Sequence, residues 1–323
     1  MSDKIRSSRQ KLIVGVQAQE SSRGLLEISS HIAHRLDLAM HVVHVVEHMV
    51  DIDSKYAELL GSFDLSQLTE EVWGDELLNT EHKIQNLLES LPDHVDVETR
   101  IMRSDNPAQA LMAEASAQHG AMIVVGLSNY IYSLIPRGLS VVLKLMANSS
   151  VPVIVVRHES QLKFGQTALR VLISDDLRPS SLRVLLEGIK FASGLGRIEV
   201  LHLHIVEPSV TSLVTHLAET GETKHMSISD IPAFWAEAIL NMERKLFDRS
   251  QAARSIGEKA IVRYEARVVS GHPTHEISKF VSDFSPDIAV FGRSPEAQQR
   301  TFGVGRVPFS ALLAGCSVVM VIP

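Results

Sequence analysis

Short, wholly apolar runs alternate along this chain with longer stretches whose apolar residues recur every three or four positions, and the alternation occurs twice. In the first half, residues 11–16 form an apolar run of strand length, residues 22–36 carry helical spacing, and residues 41–47 read as a second, Val-rich strand. Leu65, Leu68, Val72, Leu77, Ile84, Leu87, Leu88 and Leu91 mark one long amphipathic helix. A third strand is expected at 95–102 and a helix with Pro at its start at 107–118. A fourth strand at 122–125, a loop at 126–140, a helix at 141–148 and a strand at 151–156 close this half. The second half repeats the order at 170–173, 181–195, 198–207, 231–256, 262–269, 273–284, 288–291 and 317–322. Strands that are apolar along their whole length imply burial on both faces, hence a parallel sheet flanked by helices. Right-handed crossovers then predict a doubly wound α/β architecture for each half.

The two halves also match residue for residue. Residues 12–47 slide onto 172–207 at a shift of 160 without a gap, and residues 104–156 slide onto 270–322 at a shift of 166. Leu12, Ile13, Leu25, Leu26, Glu27, His44, Val46 and Glu47 thereby meet Leu172, Ile173, Leu185, Leu186, Glu187, His204, Val206 and Glu207. A period near 160 residues has the size of a whole domain rather than of a solenoid repeat. The sequence therefore predicts two tandem domains, 1–158 and 159–323, joined by the polar stretch 158–167. Segments 49–64 and 208–230 are the irregular insertions and the least alike between copies.

Composition narrows the function. A chain of 323 residues, 45% hydrophobic and 21% charged, suits two globular domains. Its net charge of −7 argues against nucleic acid or an anionic membrane as partner, since both demand clustered Lys and Arg. No apolar run approaches the roughly 20 residues of a membrane span. Residues 1–10 show no secretory signal, and a single cysteine, Cys316, fits a reducing cytoplasm. Cys316 precedes a terminal apolar strand, where a buried, inert thiol is expected.

In a doubly wound sheet, ligands collect beyond the carboxyl ends of the strands where strand order reverses. Three places in each copy point there: the end of strand 1, the turn after strand 3, and the loop after strand 4. The strand-4 loop runs from Gly292 to Gly305 and Arg306 in the second copy, and from Gly126 through Gly138 to Ser140 in the first. Glycine lets backbone approach a ligand closely, and N–H groups at a helix start attract phosphate. Arg293, Arg300 and Arg306 add positive charge around the second loop. Asp175 and Asp176 are adjacent, so their side chains take opposite faces, which favours one functional acid over a catalytic pair. His41, His44, His48, His202 and His204 lack a companion Cys or acid cluster at ligand spacing, so no metal is expected. No nucleophile with a partnered base is visible, so no catalytic residue is assigned.

Five features shared by both copies carry a family resemblance. They are the apolar first strand, the Ser-rich helix start, the second strand ending at Glu47 or Glu207 after His44 or His204, the Pro before the third helix, and the strand-4 glycine loop. This pattern resembles the universal stress protein family over almost the entire chain, as a tandem member with two Rossmann-like, adenine nucleotide alpha hydrolase-like domains. Family members that bind ATP carry G-x2-G-x9-G-[ST] in the loop and an Asp ending strand 1. The second copy keeps Gly292 and Gly305, replaces the middle glycine with Pro295 and the hydroxyl residue with Arg306, holds Asp176 at the strand-1 acid and Gly271 in the turn after strand 3. The first copy keeps Gly126 and Ser140, but has Asn129, Leu139, Gln17 and Asp105 at the other positions. The resemblance thus implies a cytoplasmic stress-response binding or signalling protein whose second domain holds ATP, another adenine nucleotide or some other small phosphorylated ligand. Asp176, Gly271, Gly292, Arg293, Gly305 and Arg306 would form that site. Two alternatives stay open: an interaction scaffold with both pockets closed, binding a protein partner through the insertions, and a slow ATP-hydrolysing switch. In the family, domains pair through the strand that ends each copy, which implies an intramolecular pseudo-dimer here and leaves a further homodimer open.

Overall fold

A computed structural model describes residues 9–46, 65–92, 95–127, 137–157, 160, 162, 164–207, 231–293 and 306–323. At 65–73, 75–76, 137–140, 231–234 and 306 only the backbone is described. Both insertions, 49–64 and 208–230, fall outside the described residues, as does part of the expected linker. The chain divides into two compact units, Met1–Leu145 with Ser149–Glu159, and Met146–Asn148 with Ser160–Pro323.

The first unit runs β1 (Lys11–Val16), α1 (Arg23–Arg35), β2 (Ala39–Val46), α2 (Leu65–Leu88), β3 (Val97–Arg103), α3 (Pro107–Ala117), β4 (Gly120–Leu127), α4 (Arg137–Asn148) and β5 (Val153–Arg157). Its strands lie in the order β3-β2-β1-β4-β5, and every pair is parallel. Leu12, Ile13 and Val14 in β1 are fully buried, as expected for the middle strand of a sheet covered on both faces. Asn106 caps α3 by accepting the Gln109 N–H, and Pro107 at the first turn forfeits only an N–H that would lack a helical partner anyway.

The second unit repeats this plan as β6 (Leu169–Ser174), α5 (Pro179–Leu195), β7 (Ile198–Val206), α6 (Ile231–Ile256), β8 (Ile261–Ser270), α7 (Pro273–Phe284), β9 (Ile288–Gly292), α8 (Arg306–Leu313) and β10 (Val318–Ile322). The strand order is β10-β9-β6-β7-β8, again parallel throughout. Val171, Leu172 and Ile173 form the buried centre. Helix α5 comes close to β9 because Gly188 carries no side chain: an added Cβ would lie 2.9 Å from Cγ1 of Val290.

Strand and helix order agree with the sequence reading in both halves, and the ends shift by a few residues. The third strand is Val97–Arg103 rather than 95–102, the fourth is Gly120–Leu127 rather than 122–125, and α4 begins at Arg137 rather than 141. One register is corrected. His44 Nδ1 bonds the Val16 carbonyl at 2.9 Å, and His204 Nδ1 bonds the Asp175 carbonyl at 2.7 Å. Val16 is therefore the counterpart of Asp175, and Gln17 that of Asp176, so the first strands match at a shift one residue below 160. Apolar residues fill both faces of these strands, so a one-residue slip leaves the apolar pattern nearly unchanged and hides from sequence comparison. No helix among the described residues is long and apolar enough to cross a membrane.

Candidate functional site

Strand order in the second unit reverses at β6: its first crossover leads to β7 on one side, and β9 pairs it on the other. Beyond the carboxyl ends of β6 and β9 opens a cleft of about 480 Å³. Ser174, Asp175 and Asp176 from β6 and its loop line it together with Phe291, Gly292 and Arg293 from the end of β9. Three helices begin at its walls. Ser180 and Ser181 come from the first turn of α5, Pro273 opens α7, and Val307 and Pro308 come from the first turn of α8. Helix N-termini carry positive dipole ends, which favour an anion, although Pro179, Pro273 and Pro308 each remove an N–H donor from these first turns. Apolar Val184, Ile205, Phe291 and Ile322 supply a wall on which a flat ring can pack.

Under the cleft lies a buried polar network. The Asp175 carboxylate, 1% exposed, accepts hydrogen bonds from Leu177 N–H at 2.7 Å, Ser181 Oγ at 2.6 Å and His202 Nε2 at 3.1 Å. Arg249 Nη1, from the middle of α6, reaches both of its oxygens at 2.8 and 3.0 Å. Burial pushes this carboxyl up, but the bonds from His202, Ser181 and Leu177 outweigh it and hold the group far below the usual carboxylate range. Arg249 Nη2 donates to the carbonyls of Leu177 and Arg178 at 2.7 and 2.8 Å, so one guanidinium grips both the acid and the turn that follows it. That turn places Leu177 at φ 61°, a left-handed conformation that leucine disfavours. On the far side of His202, Nδ1 meets the Tyr264 hydroxyl at 2.9 Å. Burial pushes the Tyr264 phenol up, and Arg254 lies 5.0 Å from the centre of its ring. Burial also lowers His204, whose Nδ1–H donates to the Asp175 carbonyl.

Three residues expected from the sequence meet at the cleft: Asp176, Gly292 and Arg293. Asp176 is about half exposed at the rim, and its Oδ1 accepts the Arg178 N–H at 3.0 Å. A Cβ on Gly292 would stand 3.0 Å from Val184 Cγ2, so the glycine keeps the passage between β9 and α5 open. Gly271 directly follows β8 and is not among the residues lining the cleft; a Cβ there would meet the Glu276 side chain at 2.7 Å. Arg306 is the first residue of α8, with its side chain outside the described part, and Gly305, Pro295 and Arg300 fall outside the described residues altogether. In the first copy Asn129 is likewise outside, and so are the side chains of Leu139 and Ser140.

Four of the five candidate histidines make contacts within the fold, and His48 lies outside the described residues. His202 and His204 join the network above, and His44 ties β2 to the end of β1. His41 pairs at 2.9 Å with buried Glu114 on α3, which Arg100 also engages at 2.7 Å. Burial raises the Glu114 carboxyl, and the bonds from Arg100 and His41 more than reverse this, leaving it lowered. No cluster of three or more His, Cys, Asp or Glu among the described residues could hold a metal ion. Cys316 is buried, with its thiol against the carbonyls of Val318 and Pro286.

Arg249, Ser181 and Tyr264 were not singled out from the sequence. The signal for Arg249 was present: it falls on the stripe of α6 that carries buried Leu246, Ser250 and Ala253, where a charge needs a buried partner. Nothing along the chain points to Asp175 as that partner, since the two are 74 positions apart.

The comparisons agree with this architecture. Residues 8–157 match the model of the Universal stress protein family. A universal stress protein from Archaeoglobus fulgidus DSM 4304 superposes with a TM-score of 0.56 at 17% identity, covering 97% of this chain and 95% of its own. A functionally unknown protein from Pseudomonas aeruginosa PAO1 gives a TM-score of 0.55 at 16% identity, covering 99% and 94%. At such identities the likeness establishes a shared fold. No curated protein matches the chain.

Proposed function

We propose, from the match of residues 8–157 to the universal stress protein family model and the repeat of their order of strands and helices in residues 160–323, a tandem universal stress protein whose second unit binds a small phosphorylated ligand, an adenine nucleotide above all. The observation that carries this reading is the cleft at the β6–β9 switch, with three helix N-termini at its walls. Its volume of about 480 Å³ falls in the range of small-molecule sites. The donor set suits a nucleotide: helix N-termini for phosphate, beside the Arg293 guanidinium, which also donates from Nη1 to the Ala147 carbonyl at 3.1 Å, the Asp176 carboxylate for hydroxyl or amino groups, and the Phe291 and Ile322 side chains for a base. Binding fits better than hydrolysis, because buried Asp175 spends its acceptor capacity on groups of the protein itself. The first unit has Val16 and Gln17 where the second has Asp175 and Asp176, so it receives no ligand in this reading.

The test is a thermal-unfolding series of the full chain with AMP, ADP and ATP, repeated with Gly292→Val. A ligand at one hundred times its Kd stabilises by about 2.7 kcal/mol. The expected outcome is a rise in Tm with at least one nucleotide and its loss in Gly292→Val, which fills the gap beside Val184. No shift with any of the three, or an undiminished shift in the variant, rejects this cleft as a nucleotide site.

A further inference from the structure

The cleft contains a physical contradiction. A site suited to a phosphate has a buried carboxylate, Asp175, in its lining, and an uncompensated negative charge there would repel the ligand. Compensation comes from outside the strand-end loops: Arg249 reaches from α6, bonds both Asp175 oxygens with Nη1, and also meets Ser181 Oγ at 2.9 Å. With Nη2 it binds the carbonyls of Leu177 and Arg178, the two residues that carry the chain from β6 toward α5. These bonds close around Leu177, whose φ is 61°, in the turn that leads into the first turn of α5 at the cleft. The first unit offers an internal comparison. There Val16 replaces the acid, and the connection is held by a neutral pair: Ser22 Oγ donates to the Gln17 carbonyl at 2.7 Å and accepts the Gln17 N–H at 3.2 Å. A stable turn at this place therefore does not require an ion pair.

From this we infer that Arg249 is the positioning residue of the second unit's cleft. Its charge neutralises Asp175, so that the N-terminus of α5 presents to an anion instead of to a buried negative charge, and its fork separately clamps residues 175–178. The inference deepens the nucleotide-binding reading and rests on it for its ligand. It also makes a claim that needs no ligand, namely that the Arg249 fork orders the turn at Leu177.

The experiment uses the full chain in four forms: wild type, Arg249→Met, Arg249→Lys and the double variant Arg249→Met/Asp175→Asn. Calorimetric titrations with AMP and with uncharged adenosine separate charge from shape, and amide hydrogen exchange at residues 175–181 without ligand reports on the clamp. Arg249→Met is expected to weaken AMP at least tenfold and adenosine less than threefold, and to speed exchange at Leu177 at least tenfold. The double variant, which removes the stranded charge, is expected to regain AMP affinity to within threefold of wild type. Arg249→Lys keeps the charge without the fork, so it should hold AMP within threefold while exchange at Leu177 still quickens; it also serves if Arg249→Met does not fold. Equal weakening of AMP and adenosine, or unchanged exchange at Leu177 in both single variants, overturns the proposal. Should wild type bind neither ligand, the nucleotide reading fails, and quickened exchange at Leu177 then supports the clamp while unchanged exchange sinks it.

Discussion

Buried carboxylates in both units have protein partners, and those partners come from distant elements. Glu114 on α3 is 3% exposed and receives Arg100 from β3 and His41 from β2. Removing Arg100 strands a buried charge, which in a fully enclosed pair costs about 3–5 kcal/mol. Arg100 itself is about half exposed, so water replaces part of what it supplies. Arg100→Met is therefore expected to lower stability by about 2–3 kcal/mol, and Arg100→Met/Glu114→Gln by less than the single variant. Urea unfolding of the three proteins checks this; a double variant weaker than Arg100→Met would mean that the carboxylate is not the group being stranded. Such partnerships were only half legible along the chain. Arg249 breaks the apolar stripe of α6 and so announces a buried partner, whereas Asp175 and Asp176 look alike in sequence and are told apart only by burial, one almost fully enclosed and the other about half exposed.

Elements were the most legible level, because a parallel sheet covered on both faces needs unbroken apolar strands and helices with one apolar side. Their ends were less so: β3 and β8 are edge strands with many exposed side chains, and their limits moved from 95–102 to Val97–Arg103 and from 262–269 to Ile261–Ser270. The glycines inside helices show what periodicity leaves out. Gly74 in α2 and Gly188 in α5 occupy the same local conformation, yet a Cβ on Gly74 meets nothing within 4 Å while one on Gly188 runs into stiff, buried Val290. Gly74→Ala should raise stability by up to about 1 kcal/mol through helix propensity alone. Gly188→Ala gains the same propensity but forces α5 away from β9, and overpacking of that kind costs about 1–3 kcal/mol. Thermal unfolding of both variants decides the matter, and a stabilising Gly188→Ala would show that α5 can move off the sheet freely.

At the scale of the whole molecule, the buried ionisable groups make stability depend on pH with a definite sign. Asp175 and Glu114 are lowered despite burial, and the Lys11 hydrogen bond lowers Glu98. Their folded values lie below their unfolded ones, so the unfolded chain binds more protons between the two, and the stability they contribute is present above about pH 4 and lost as pH falls through the folded values. Burial lowers His204 in the same sense, so its contribution is complete above about pH 6.5 and declines below it. Urea midpoints are therefore expected to be level above neutrality, to fall slightly between about pH 6.5 and 5, and to fall steeply below about pH 4. A midpoint that rises on acidification from neutrality would contradict the burial of His204. The duplication and the order of strands and helices were determined by the sequence itself, because apolar periodicity is a local property of the chain. Which of two adjacent aspartates is buried, which arginine compensates it, and that Gly292 lines the cleft while Gly271 does not were decided by the tertiary structure. Those are outcomes of desolvation and side-chain contact between elements far apart in sequence, and no local pattern encodes them.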